Sequence, residues 1–261
     1  MIGRFPGLYR YLLFILLASR VSFAQEPSAG ADSTPRAAAF RAFSVAADRY
    51  GKDPKNVDAV WQFGRACFDC SDNSTNNDER ALFAEKGIAA CQKALDEKTN
   101  SAESHYYLGM NLGQLAQTRG ISALKLVKQM EREFTRAREL DEKLDYAGPD
   151  RNLGLLYRDA PSFLSIGNRS NSKKSLQRAL ELAADFPENH LNLIETFLKW
   201  SDRNAAIQAL KAYEAIRTKA QAQLTGSQWK FAWVDWEKRY REVKSKIESS
   251  SRVLSPRQKA D

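Results

Sequence analysis

Apolar and small side chains recur along this chain in one pattern that is repeated four times. The first set in each repeat comprises Phe63-Gly64 with Cys67, Leu108-Gly109 with Leu112, Leu153-Gly154 with Tyr157, and Leu193-Ile194 with Phe197. The three glycines of this pattern lie 45 residues apart. Repeats of about this length are typical of arrays in which each unit packs only on its neighbours.

A second set follows each first set, with its members at offsets of four and then three residues. These sets are Gly87, Cys91 and Ala94; Met130, Phe134 and Ala137; Ser172, Leu176 and Ala179; and Ala206, Leu210 and Tyr213. The offsets place each set on one face of a helix, where a small residue lets two helices approach and a larger one fills the gap. The two patterns are typical of tetratricopeptide-type units. They predict an all-α, tetratricopeptide-like array of four antiparallel helix pairs.

A C-terminal capping helix is predicted after the fourth pair. Apolar side chains recur there at steps of four and three residues: Trp229, Trp233, Trp236, Tyr240, Val243 and Ile247. Such a stripe indicates an amphipathic helix, and open arrays need one to cover their last apolar face. The alternative role for Trp229, Trp233, Trp236 and Tyr240 is an interface with a partner or with a second copy of the chain.

Three inserts lengthen the units beyond the usual tetratricopeptide size. They are Ser71 to Glu79, Arg119 to Lys128 and Asp159 to Asn171. The first is polar from Ser71 to Asp78 and is predicted to be a mobile loop, whereas residues 121–127 are apolar enough for an extra helical turn. Inserts of repeat proteins gather on one face and often serve binding.

The N-terminal segment has the composition of a signal peptide. Residues 1–24 contain Arg4, Arg10 and Arg20, no acidic residue, and an apolar run from Tyr11 to Ala18. Ser22 and Ala24 suit a small-residue cleavage site. A mitochondrial presequence is the competing interpretation, and the continuous apolar run favours the signal peptide. We therefore expect an exported, periplasmic protein, without the cysteine of a bacterial lipoprotein and without a membrane span after cleavage.

The remaining chain divides into a linker, a folded body and a tail. Residues 25–36 are rich in Pro, Ser, Ala and Gly and predict a flexible linker. Residues 37–248 are predicted to form the helical repeat domain, and residues 249–261 a disordered tail. Without residues 1–24 the chain has 37 of its 40 basic residues against 32 acidic ones, interspersed along helical faces. This mild basicity does not indicate a nucleic-acid partner.

Residues that could carry chemistry fit the repeat architecture better than an active site. His105 and His190 occupy equivalent positions two units apart, roughly 20 Å by the spacing of packed helices, which is too far to share a metal ion. No nucleophile elbow, phosphate loop, zinc helix or dinucleotide motif is present. We therefore predict that the chain is not an enzyme and has no cofactor or metal.

The cysteines leave two alternatives open. Cys67 and Cys91 lie at facing positions of the first helix pair, so they could form a disulfide after export or remain as two buried thiols. Cys70 would be left over. A redox or hydrolase site that uses Cys67 and Cys70 is a third, disfavoured hypothesis, because no base or cofactor motif accompanies them.

One stretch of the array resembles a known family. The residues concerned are Asp145 to Tyr157, Ala160-Pro161, Ser165-Ile166-Gly167 and Phe186 to His190. They resemble the T component of tripartite ATP-independent periplasmic (TRAP) transporters, over about residues 63 to 200. The resemblance implies a periplasmic helical protein that partners a substrate-binding component of a small-ligand importer, with an apolar channel for an organic ligand.

The third insert is the strongest sequence candidate for binding. Between Asp159 and Asn171 it holds Pro161, Phe163 and Ile166, apolar side chains that a solvated loop would not need. We expect this loop to fold across one opening of the array and to line a ligand or partner groove with Tyr106, Tyr107 and Tyr157.

Two functions from the same broad class follow from these observations. The first is a scaffold accessory to a TRAP-type uptake system, binding a periplasmic substrate-binding protein and a small organic ligand. The second is a general protein-interaction module for cell-envelope assembly, which uses the concave face of the array as a peptide groove. Assembly into a homo-oligomer is compatible with both.

Overall fold

The computed structural model describes residues 34–120 and 122–253, and their side chains as far as residue 249. Within these ranges the chain is all helical, with ten α-helices and one 3-10 turn. The helices are α1 (Pro35–Lys52), α2 (Val57–Asp72), α3 (Asn77–Glu97), α4 (Ala102–Gln117), α5 (Ala123–Leu140), α6 (Leu144–Asp159), α7 (Arg169–Leu182), α8 (Pro187–Lys199), α9 (Arg203–Gln223) and α10 (Lys230–Val253), and the 3-10 turn spans Ser227–Trp229.

The four predicted helix pairs are confirmed. Helix α2 packs on α3, α4 on α5, α6 on α7 and α8 on α9. In the first three pairs, the glycine of the first helix lies where its partner helix crosses. A Cβ at Gly109 would stand 2.6 Å from the ring of Phe134, and one at Gly154 would stand 2.6 Å from Leu176. Because carbon atoms need about 3.5 Å, only glycine lets these helices approach so closely.

Side-chain caps fix where most of these helices begin. Asn, Ser, Thr or Asp precedes six of the described helices and accepts a hydrogen bond from a backbone N–H in the first turn; these residues are Thr34, Asn56, Asn76, Ser101, Asn168 and Asp202. Such caps satisfy donors that the helix itself cannot satisfy. The unit boundaries are therefore encoded locally in the sequence.

Helix α1 extends the array before the first predicted pair. It starts at Pro35, so the last two residues of the predicted linker are helical. Its Phe40 and Phe43 meet Phe83 at ring-centroid distances of 5.4 and 5.3 Å. The guanidinium of Arg36 also pairs with Glu79 at 2.6 Å. The predicted signal peptide, residues 1–24, lies outside the described residues.

The first two inserts are shorter than predicted because helices take up more than half of each. Only residues 73–76 separate α2 from α3, so the mobile loop predicted from Ser71 to Asp78 is wrong for half of its length. Residues 123–127 are not an extra turn but the first residues of α5. The third insert retains an irregular connection, residues 160–168, between α6 and α7.

Helix α10 packs on α8 and α9 at the end of the array. Along its stripe Trp236, Val243 and Ile247 are buried, and Trp229 joins them from the preceding 3-10 turn. Trp233 and Tyr240 are half-buried at the margin of this contact. The helix continues to Val253, so the tail predicted from residue 249 is helical for five residues more. None of the described helices combines the length and apolar composition needed to cross a membrane.

Candidate functional site along the first helices

Polar side chains connect the first helices of successive pairs, α2, α4, α6 and α8, and continue to α10. We call these helices the first-helix row. The connecting hydrogen bonds run from Asn111 Nδ2 to the Gly64 carbonyl, from Gln114 Nε2 to Asp72, from Tyr106 to Asp145, from Arg151 to Asn189, from Arg158 to Thr196 and from Arg239 to Glu195. Apolar side chains alone would be enough to pack successive units together. The first-helix row nevertheless contains charged and amide groups.

The centre of the row is a buried ion pair. The guanidinium of Arg151 is 1 % exposed and lies 2.6 Å from Oδ2 of Asp145. The Tyr106 hydroxyl donates to the same carboxylate at 2.6 Å, and Asn152 donates to that hydroxyl at 3.0 Å. A buried ion pair is stable only when its remaining donors and acceptors are satisfied. Here side chains from α4 and α6 satisfy them.

The start of α6 adopts an unusual backbone conformation around this pair. Asp145, Tyr146 and Ala147 have φ values of 50°, 54° and 61°. Left-handed backbone costs roughly 1–2 kcal/mol for each residue other than glycine. Arg151 donates to the carbonyls of Asp145 and Tyr146, and Asn189 donates to that of Tyr146. The buried network therefore holds a strained turn in place, and the right-handed helix resumes after Ala147.

The negative charges of three carboxyl groups in the row are only weakly balanced by nearby cations. Burial raises the pKa of Asp69, Asp72 and Glu188 to about 7. Asp69 is nine-tenths buried, and the charge of Arg65 offsets the effect of that burial only in part. Glu188 lies 3.9 Å from Arg239, and Asp72 accepts one bond from Gln114. Charges of Asp69 and Glu188 raise the pKa of Asp72 further, which links α2 electrostatically with α8.

The predicted groove residues fall into separate environments. Tyr106 is fully buried in the central network, and Tyr107 stacks on Trp61 with ring centroids 5.8 Å apart. Tyr157 donates to Glu131 at 2.8 Å. Pro161 and Ile166 are half-buried, with Ile166 packed on the core.

Phe163 contradicts the proposed loop arrangement most directly, because it is 95 % exposed and cannot line a groove with the buried tyrosines. The neighbouring Leu164 is 67 % exposed. The direction in which its tip points could not be read from the sequence. Ligand binding by the six residues stays a prediction.

The three cysteines are buried free thiols in the structure. Cys91 packs against Gly64, and burial raises the pKa of both Cys67 and Cys91 well above that of a free thiol. Burial also raises the pKa of Cys70 to about 12. Since the thiolate is the reactive form, none of the three has the environment of a redox nucleophile. Oxidation of Cys67 with Cys91 stays a prediction.

The two histidines have separate structural partners. His105 lies 2.6 Å from Glu133 and 3.1 Å from the Thr99 carbonyl. His190 lies 2.7 Å from the Ala184 carbonyl, and burial lowers the pKa of its ring. Each histidine ring therefore forms hydrogen bonds within its own repeat unit.

Comparisons with known proteins agree with the repeat architecture. The sequence model of the family described as "Regulator of microtubule dynamics protein 1-3" matches residues 29–147, which is less than half of the chain. The crystal structure of a thermophilic TPR protein of Thermus thermophilus superposes with a TM-score of 0.57 at 15 % identity, covering 80 % of this chain and 96 % of that one. No curated protein matches the chain.

These matches support the fold but not the more specific resemblance. Neither of them supports a T component of a TRAP transporter. At 15 % identity the structural match shows the fold alone. The helix pairs, their glycine crossings and this superposition together establish the chain as an all-α, tetratricopeptide-like repeat protein.

Proposed function

We propose that this chain is an exported scaffold that binds a cationic segment of a protein partner along the first-helix row. The observation that carries the proposal is the set of weakly compensated carboxyl groups, Asp69, Asp72 and Glu188. A row that served packing alone would carry apolar residues at the buried positions of Asp69 and Glu188, because a poorly compensated carboxylate loses its hydration there. A lysine or arginine of a partner would supply the missing counter-charge.

The direction of the pKa shifts supports the same partner chemistry. Burial favours the neutral form of each of the three carboxyl groups, with a pKa of about 7. An approaching cation favours the ionised form and lowers these values. Binding should therefore release protons near neutral pH, and it should weaken when the solution is acidified.

The identity of the partner divides the proposal into three forms. In the first, implied by the sequence resemblance, the partner is the substrate-binding component of a TRAP-type transporter and a small organic ligand accompanies it. In the second, the chain is a general interaction module of the cell envelope. The partial match to regulators of microtubule dynamics favours a regulatory scaffold in a third setting, which the partner's identity would reveal.

The test is a capture experiment with a charge-neutral variant. Immobilised protein is exposed to a cell-envelope extract, and bound proteins are identified by mass spectrometry. The variant Asp69→Asn with Glu188→Gln keeps the size and shape of both side chains and removes two charges. The control is Asp96→Asn with Glu97→Gln, two exposed acidic residues of α3.

We expect the partner to bind the control normally and the test variant at least about tenfold more weakly. Equal binding to all three proteins would refute the role of the row. A substrate-binding protein among the captured species would select the TRAP-type form of the proposal.

A further inference from the structure

The connection between α6 and α7 presents two neighbouring apolar side chains to solvent. Phe163 is 95 % and Leu164 67 % exposed, which makes this the only adjacent pair among the large exposed apolar residues of the described chain. Single exposed apolar residues are common on protein surfaces. Two exposed apolar side chains next to each other at the tip of a connection indicate a surface that contacts another molecule.

The connection holds this tip in a defined position. The N–H of Ser165 donates to the Pro161 carbonyl at 3.0 Å, and the N–H of Asn168 donates to the Tyr157 carbonyl at 2.8 Å. A Cβ at Gly167 would collide with the Ala160 carbonyl, so the two ends of the connection lie in direct contact. The tip is thus displayed by a closed loop and not by a loose chain.

Basic residues follow the tip along the chain, and no acidic residue lies among them. From Ala160 to Leu180 the chain contains no Asp or Glu. The exposed side chains of Arg169, Lys173 and Lys174 have no ion pair with any described residue. Arg169 lies over the ring of Trp200 at 5.6 Å and Lys173 over that of Phe197 at 5.9 Å. These two ring contacts place the cations at the end of α8.

The end of α8 adds one further cation beside the loop. Lys199 pairs with Asp159, the residue that immediately precedes the connection. Arg158 pairs with the same carboxylate at 2.7 Å. Asp159 therefore pairs with two cations at this edge of the array. Arg169, Lys173 and Lys174, which have no ion pair with a described residue, add to the excess of positive charge.

From these observations we infer that the loop of residues 160–168 docks on an anionic phospholipid surface. Phe163 and Leu164 would enter the boundary between headgroups and acyl chains, and Arg169, Lys173 and Lys174 would contact lipid phosphates. Shallow apolar insertion combined with basic residues is the common chemistry of peripheral membrane contact. A purely acidic protein surface would not need the apolar pair, and base stacking on nucleic acid would not need Leu164.

A site-specific fluorophore provides the first test. The native cysteines are buried, so Phe163→Cys in the full chain can be labelled selectively with an environment-sensitive dye. Val234→Cys is the matched control, because Val234 is also exposed, at 66 %, but lies on α10. Vesicles of phosphatidylcholine are compared with vesicles that also contain phosphatidylglycerol.

We expect a blue shift for the dye at position 163 with the anionic vesicles only, suppressed by high salt, and none at position 234. Equal shifts at both positions would mean that another part of the chain binds lipid, and would overturn the inference. So would the absence of any shift at position 163.

Unlabelled variants provide a second, independent measurement by vesicle co-sedimentation. Phe163→Ser with Leu164→Ser, and separately Lys173→Glu with Lys174→Glu, should each lower the partition coefficient at least about tenfold relative to Val234→Ser. Because all the substituted side chains are exposed, the fold should survive, as circular dichroism can verify. Unchanged partitioning, or binding to an acidic protein or oligonucleotide in place of vesicles, would refute lipid docking.

Discussion

The hydroxyl of Tyr106 in α4 donates a 2.6 Å hydrogen bond to Oδ2 of Asp145, which stands at the start of α6 in the next unit. The same oxygen accepts a hydrogen bond of 2.6 Å from Nη2 of Arg151. One carboxylate therefore joins two repeat units and fixes a left-handed turn. Its two partners contribute differently, since Arg151 compensates the charge and Tyr106 completes the hydrogen bonding.

Removal of the Tyr106 hydroxyl should destabilise the whole array. Tyr106→Phe leaves Asp145 with one donor fewer in a buried site, and we expect a loss of about 1–3 kcal/mol in the free energy of unfolding. Chemical denaturation measures this loss. Tyr240→Phe is the control, because its hydroxyl bonds to Glu214 at an exposed position, and its effect should be much smaller. Equal effects would contradict a special role for the central network.

Ser201 offers a stabilising substitution. It has φ 61° two residues after the end of α8, where its N–H donates to the Leu198 carbonyl and the N–H of Asp202 donates to the Phe197 carbonyl. This is the hydrogen-bond pattern of a helix end that favours glycine. Ser201→Gly should therefore raise the free energy of unfolding by about 0.5–1 kcal/mol. Ser201→Ala should give no gain, and a gain of equal size would show that backbone strain is not the cause.

Stability should fall as pH rises through neutrality. The folded pKa values of Asp69, Asp72 and Glu188, about 7, lie above those of the unfolded chain, so the folded state binds more protons between the two values. Stability gained from these groups is complete in acid and is lost as pH approaches and passes 7. His190 acts in the opposite direction below its unfolded pKa, because burial lowers its folded pKa. The measurement therefore belongs above about pH 6.5.

We expect denaturation midpoints to decrease over that range, and Glu188→Gln to flatten the decrease. Asp96→Asn, an exposed residue of α3, should leave the slope unchanged. A slope that Glu188→Gln does not alter would exclude Glu188 as a source of the pH dependence.

Trp236 tests whether α10 caps the array. Trp236 is 1 % exposed, and its ring centroid lies 5.5 Å from that of Phe186 and 5.8 Å from that of Trp229. Trp236→Ala should cost about 3–5 kcal/mol, as for other buried aromatic residues. Val234→Ala on the exposed side should change stability by less than about 0.5 kcal/mol. If Trp236→Ala altered only self-association, as measured by sedimentation, the interface alternative would be correct.

The helix pairs could be predicted because their contacts are encoded within single units. Gly109 and Phe134 are complementary in size at one crossing, and the repeat spacing shows this directly. The first-helix row could not be predicted in the same way. Whether Arg151 meets Asp145 depends on a left-handed turn that no helical period signals, and whether Glu188 approaches Asp72 depends on how successive units are rotated.

Helix α1 was missed for a different reason. Its sequence is rich in alanine and has only two buried residues, Ala38 and Ala39, so it lacks a clear apolar stripe. Its position is set instead by Phe40 and Phe43 against Phe83 and by the bond from Arg36 to Glu79. Those contacts join distant parts of the chain and become visible only in the structure.

The hydrogen bonds that connect successive first helices affect how the array unfolds. In a series of units that touch only through apolar faces, the terminal units can melt while the middle stays folded. Here a carboxylate or amide of one unit is the hydrogen-bond partner of the next, so the loss of one unit leaves buried charge in its neighbour. The units should therefore unfold together in a single cooperative transition. Although the repeats are similar in sequence, one repeat could not replace another.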